Sequence, residues 1–146
     1  MATKTNIKRT KPRKKSNSKL VFTLLFLSYL GVSAYLLFAS GEHLPKYRKL
    51  GFLSQVAAYL QVEPDKVMHT LLFVPIIPLA WAAIKPRSFP AKMAVLWSGL
   101  LFGALTELVQ HYLPYRTGDI GDWAADVVGS LLGIPFLIFF YKKGKK

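Results

Sequence analysis

Four apolar stretches separated by short polar ones run along the chain. Leu20 to Ser40 carries no charged residue, and as a helix rising about 1.5 Å per residue it is long enough to cross a hydrocarbon layer roughly 30 Å thick. Val67 to Ile84 is the second stretch, and the missing amides of Pro75 and Pro78 predict a kinked helix there. The third runs from about Ala91 to Leu113 and the fourth from about Asp122 to Tyr141. The pattern predicts an all-α integral membrane bundle of four transmembrane helices. Between the first two, Leu44 to Asp65 is too polar to cross. Leu50, Leu53, Ala57 and Leu60 nevertheless recur at helical spacing beside Tyr47, Phe52 and Tyr59, as in a short helix lying in the interface.

Composition strengthens this reading. Hydrophobic residues make up 52% of the chain and charged residues 18%, which excludes disorder over most of its length and argues against a water-soluble globule. The net charge of +13 would suggest nucleic acid in a soluble protein, but its placement indicates another role. Eight Lys and Arg precede Leu20 and four Lys follow Tyr141. With Lys85, Arg87 and Lys92 on the same side, the positive-inside rule puts both termini in the cytoplasm of a multi-pass inner-membrane protein. No nucleic-acid partner is expected. Residues 1–19 read as a disordered basic tail, 20–141 as the membrane domain and 142–146 as a second basic tail. The first apolar run is longer than a signal-peptide core, so it reads as a retained anchor. With no cysteine, disulfides and thiolate chemistry are excluded.

Under this topology the unusual polar residues of the last three spans meet at one face of the membrane. Asp65, Lys66 and His69 open the second span, with Asp65 and His69 four apart on one helix face. Glu107 and Gln110 approach the end of the third, Arg116 lies in the following loop, and Asp119, Asp122 and Asp126 lead into the fourth. An ionised carboxylate in hydrocarbon costs at least about 2.5–3.5 kcal/mol. Glu107 and Asp126 are therefore expected to face the bundle and to find partners among Lys66, His69 and Arg116. Gly129 and Gly133 continue the stripe of Asp122 and Asp126 and predict close packing of the fourth helix on the second and third.

This set of residues resembles the VanZ-like family of small bacterial membrane proteins. The resemblance spans Asp65 to about Ile134 and rests on Asp65-Lys66 followed by His69 and Phe73, on Glu107 with Gln110, and on Arg116 followed by Asp122, Gly129 and Gly133. At the position of Asp126 the family pattern often has Asn, so the acid here alters the charge of the pocket. The resemblance implies a helical protein of the cell envelope, in a family named for a member associated with resistance to a glycopeptide antibiotic. It implies no reaction.

Three chemistries suit the residue types. The first is a polar site at the extracytoplasmic face that handles an envelope lipid, a lipid-linked precursor or a lipophilic glycopeptide. The second is a membrane-embedded hydrolase or transferase acting on a lipid-linked phosphate or sugar, with Lys66 and Arg116 holding phosphate and His69, Glu107 or Asp122 moving protons. The third is a metal centre in which Glu107 and His111 pair at helical spacing and His69, Asp122 and Asp126 complete the shell. It ranks last, and the sequence calls for no cofactor. No nucleophile elbow, P-loop or zincin motif is present.

Overall fold

The computed structural model describes residues 17–39, 51–116 and 118–138. All of their regular structure is helical. α1 spans Ser18–Phe38, α2 Gly51–Leu60, α3 Pro64–Phe73, α4 Ile76–Ile84, α5 Phe89–His111 and α6 Ile120–Gly133, with a 3-10 turn at Ile134–Phe136. Residues 1–16 of the first expected basic tail, the whole of the second, Leu50, Tyr47 and the last three residues of the expected fourth span lie outside the described residues; Ser18 and Lys19, expected in the disordered tail, instead form the first turn of α1.

Local chemistry sets the helix boundaries. Pro64 stands in the first turn of α3, where a missing amide costs nothing. Ser88 caps α5, its hydroxyl accepting the Ala91 amide. Lys85 closes α4 in the left-handed region, φ 52°, directly before Pro86. Between α3 and α4 the helix is interrupted at Val74 and Pro75, as the two prolines predict, and the pair together makes a 21-residue apolar segment.

Among the described residues, three segments are long and apolar enough to cross a membrane: Ser18–Phe38, Pro64–Ile84 and Phe89–His111. α6 is shorter than the expected span. Its 14 residues reach about 21 Å, and Pro135 sits in the 3-10 turn that replaces the next helical turn. α2 forms within the stretch expected at the interface. It packs Leu53 and Ala57 on Val67, whereas Leu60, expected on the same stripe, is exposed beside Gln61, whose φ of 55° ends the helix.

The packing is inverted relative to a water-soluble protein. Leu20, Leu24 and Leu27 of α1, Trp97, Leu101, Leu105 and Leu108 of α5, and Leu131 and Leu132 of α6 all face outward. Ser33, His69, Thr106, Gln110, Asp122, Asp126 and Ser130 are buried. Apolar residues outside and polar residues inside are what a lipid solvent selects, since apolar side chains gain nothing there by hiding and polar ones must find partners. Phe73 and Ile76 meet Leu37 at one level, and Ile77 and Ala80 meet Val95 at another.

Glycines let α6 approach its neighbours closely. A Cβ at Gly129 would fall on the Thr70 carbonyl oxygen, and one at Gly133 on that of Val74. The Val74 carbonyl is the acceptor that Pro78, lacking an amide, cannot reach with an intrahelical bond, so the kink leaves it directed at the glycine face of α6. On the other flank, Gly99 and Gly103 of α5 make room for Ser130 and Asp126. The expected packing of Gly129 and Gly133 is therefore on α3 and α4, while α5 supplies its own two glycines. Single polar contacts complete the bundle: the Tyr29 hydroxyl donates to the Leu72 carbonyl at 2.8 Å.

Candidate functional site

The end of α1, the starts of α3 and α6 and the end of α5 lie together, joined by bonds between residues far apart in sequence. Arg116 donates to the Ala39 carbonyl at 3.2 Å and approaches Asp65 at 3.7 Å. The Asp119 amide donates to Glu107 Oε2 at 2.9 Å. At the opposite end of the bundle, Lys85 donates to Ser18 at 2.9 Å.

Around these helix ends stand Glu63, Asp65, Glu107, Asp119, Asp122 and Asp126, six of the seven acidic residues in the chain. His69 lies among them, fully buried. Its Nδ1 is 2.9 Å from Asp126 Oδ1 and 3.8 Å from Glu107 Oε1, and its Nε2 is 4.0 Å from Asp122 Oδ2. Asp126 is 0% exposed. Its second oxygen is 3.5 Å from the Thr106 hydroxyl, which itself donates to the Gly103 carbonyl at 2.8 Å. Counting 1.5 Å per residue from the nearest helix end, His69, Glu107 and Asp126 sit roughly 6–9 Å down their helices. They share a depth beneath the polar surface.

Lys66 forms the cationic side of the rim. Its ammonium is 2.6 Å from Glu63, 3.1 Å from Asp119 and 3.5 Å from Asp122. Asp119 caps α6 by accepting the Gly121 amide at 2.8 Å. That amide, and then Lys66, hold its carboxyl below the ordinary value.

Of the residues expected at the site, Asp65, Lys66, His69, Glu107, Arg116, Asp122 and Asp126 converge. Gln110 does not face the acids. It is buried, and its side chain donates to the Leu37 carbonyl at 2.9 Å, tying α5 to α1. Glu107 pairs with the Asp119 amide and faces His69, while Arg116 goes to Asp65. His111 is exposed, its Cβ close to Gly118. The expected ligand pair of Glu107 with His111 is therefore replaced, among the described residues, by two other groupings of donors: Asp65, His69 and Asp122, and His69, Glu107 and Asp126. Glu63, Thr106 and Gly103 were not legible as contributors. A Gly99-x-x-x-Gly103 spacing was the available signal for the last.

Several buried atoms have no hydrogen-bond partner: Glu107 Oε1, Asp122 Oδ1, Gln110 Oε1 and Arg116 Nε. Polar groups left unsatisfied at this depth, three acceptors and the Arg116 Nε–H donor, cost about 1–3 kcal/mol each unless a ligand meets them. Among the described residues, Lys66 and Arg116 are the permanent cations paired with these acids, and the cluster is net acidic. It can hold a cation, orient a hydrogen-bonding headgroup, or present His69 Nε2 as a base.

No solved structure matches the chain. An uncharacterized protein of Schizosaccharomyces pombe is 29% identical over 96 residues, covering 60% of this chain and 59% of its own length. The chain thus spans about three fifths of that relative. Residues 3–141 match the VanZ/LLP1 family, a reach well beyond the segment from Asp65 to Ile134 that carries the recognisable motif. With nearly its whole length matched, this helical membrane protein belongs to the VanZ/LLP1 family.

Proposed function

We propose that this protein handles the polar headgroup of an envelope lipid or lipid-linked precursor, at a site opening to the extracytoplasmic face of the cytoplasmic membrane. In this reading α6 and the apolar residues after it complete a fourth crossing, and both termini lie in the cytoplasm. The carrying observation is the gathering of six of the seven acids with His69, Lys66 and Arg116 at one end of the bundle. Apolar outer faces on α1, α5 and α6 beside it leave acyl chains in the bilayer while the headgroup enters between the helix ends. Lys66 and Arg116 supply donors for phosphate or sugar oxygens at the rim. The fission yeast relative supports a lipid headgroup over a glycopeptide antibiotic, because a relationship reaching into a eukaryote favours chemistry that many membranes share.

The test is native mass spectrometry of the full chain released from membranes. A retained lipid of defined mass is expected, lost in Asp122→Asn and in Lys66→Gln. Wild-type protein that carries only bulk phospholipid in proportion to its abundance would refute the reading.

One observation favours a second reading, a hydrolase or transferase acting on a lipid-linked phosphate or sugar. The Asp126 carboxylate holds His69 through Nδ1 and turns Nε2 toward the rim, the relation of an orienting acid to a general base. A chemically altered lipid accumulating with wild-type protein, but not with Asp122→Asn, separates catalysis from binding.

A further inference from the structure

We infer that Asp65, His69 and Asp122 form a binding site for one divalent transition cation, manganese or zinc, with Asp126 orienting the imidazole from behind. Each of the three residues offers a donor atom, and all three lie within 4.8 Å of one another. A shell with bonds near 2.1 Å places donors about 3–4.2 Å apart. His69 Nε2 and Asp122 Oδ2, 4.0 Å apart, already fall in that range. One imidazole with two carboxylates suits a borderline or hard divalent ion.

The imidazole makes this more than a group of acids. His69 Nδ1 is engaged by Asp126 Oδ1 at 2.9 Å, which leaves Nε2 as the nitrogen with a free lone pair. A metal-binding histidine characteristically donates its other ring N–H to a carboxylate in this way, fixing tautomer and ring plane. Asp122 gives the second, independent observation. Its side chain is only 10% exposed, yet Oδ1 has no hydrogen-bond partner. The only cation near that oxygen among the described residues is the Lys66 ammonium at 3.5 Å, too far for a hydrogen bond, and a buried carboxylate so placed favours a closer one.

Lys66 is the nearest alternative, at 3.5 Å. It is held more closely by Glu63 at 2.6 Å and Asp119 at 3.1 Å, so it can yield Asp122 to an ion without losing its own partners. The other grouping, His69 with Glu107 and Asp126, requires breaking the bond from Nδ1 to Asp126 and is the poorer site. A cation at Nε2 also bears on the readings above. It excludes a free imidazole base and gives an anionic headgroup a positive centre inside an otherwise acidic pocket.

The test uses the untagged full chain in lipid nanodiscs, stripped with a chelator and titrated with Mn2+ alone, following the free-ion paramagnetic resonance signal. One ion per chain is expected, with affinity falling at least about 10-fold in Asp122→Asn and about 10–100-fold in Asp126→Asn, as for other partners that orient ligands. Wild-type spectra should show hyperfine coupling to a directly bound imidazole nitrogen. Because the chain has three histidines, the coupling should persist in a His43→Gln, His111→Gln double variant. Absence of saturable binding up to millimolar Mn2+, absence of nitrogen coupling in wild type, or loss of that coupling in the double variant would overturn the inference. The wild-type readouts decide even if a site variant does not fold. The inference takes its location from the headgroup site but not its ligand. Lipid retention lost with Mn2+ binding intact would count against the headgroup reading alone, and the converse against this one alone.

Discussion

His69 and Asp126, 57 positions apart, meet at 2.9 Å with neither side chain accessible from outside. This bond fixes α3 to α6 at the depth of the site. Removing its acceptor leaves a buried imidazole N–H unpaired, at a cost of about 1–3 kcal/mol. Asp126→Leu should therefore lower the thermal stability of the detergent-solubilised protein clearly. Asp126→Asn keeps an oxygen acceptor and should cost less than about 1 kcal/mol, in line with the Asn that the resemblance implies at this position. Equal melting temperatures for the two variants would show that the bond does not hold the helices.

The glycine contacts of α6 predict a graded series. At Gly129 and Gly133 an added methyl would meet backbone carbonyl oxygens of Thr70 and Val74, which cannot swing aside. Gly129→Ala and Gly133→Ala should each destabilise by about 1–3 kcal/mol, the cost of overpacking. Gly31 in α1 has nothing within 4 Å of its notional Cβ. Gly31→Ala should be neutral or slightly stabilising, since Ala exceeds Gly in helix propensity. Unfolding temperatures measured side by side test the order.

How far the sequence predicts this arrangement depends on the kind of force involved. Convergence of Asp65, His69, Glu107, Asp122 and Asp126 was legible, because ionisable residues in apolar helices have nowhere to go but inward and the alternating direction of the spans places them at one end. The pairing among them was not. Whether Glu107 takes Arg116 or the Asp119 amide is decided by the turn between α5 and α6, which periodicity does not describe. Gln110 looked like a member of the acidic group because of its spacing from Glu107. Its amide instead bonds the Leu37 carbonyl of α1, a helix–helix contact that spacing along α5 does not reveal. The short reach of α6 follows from Pro135, a signal that hydropathy averages away.

Asp119 should give the protein a specific acid sensitivity. The Gly121 amide and Lys66 stabilise its ionised form and depress its carboxyl below the ordinary 3.8. A group depressed in the folded state contributes stability that is fully present above the unfolded value and is lost as pH falls through the folded one. Asp119→Asn preserves the helix cap, since Asn caps as well as Asp, but removes this titration. The stability advantage of wild type over Asp119→Asn should be constant near neutral pH and should shrink below about pH 4. Melting curves across pH 3–7 would detect it, and a pH-independent difference would refute the assignment.

The proposed topology can be tested residue by residue because the chain has no cysteine of its own. Tyr59 and Tyr115 are exposed at the end of the bundle that carries the site, and Ser88 is exposed at the other. Single variants Tyr59→Cys and Tyr115→Cys should react in intact cells with a maleimide that does not cross the cytoplasmic membrane, and Ser88→Cys only after lysis. For the fourth crossing, Lys145→Cys should behave like Ser88→Cys, because an apolar segment continuing past Pro135 to the inner face carries the terminal lysines with it. Labelling of Lys145→Cys in intact cells would mean that α6 re-enters without crossing. Labelling of Ser88→Cys there, with Tyr115→Cys protected, would place the acidic cluster on the cytoplasmic side and require a headgroup from the inner leaflet.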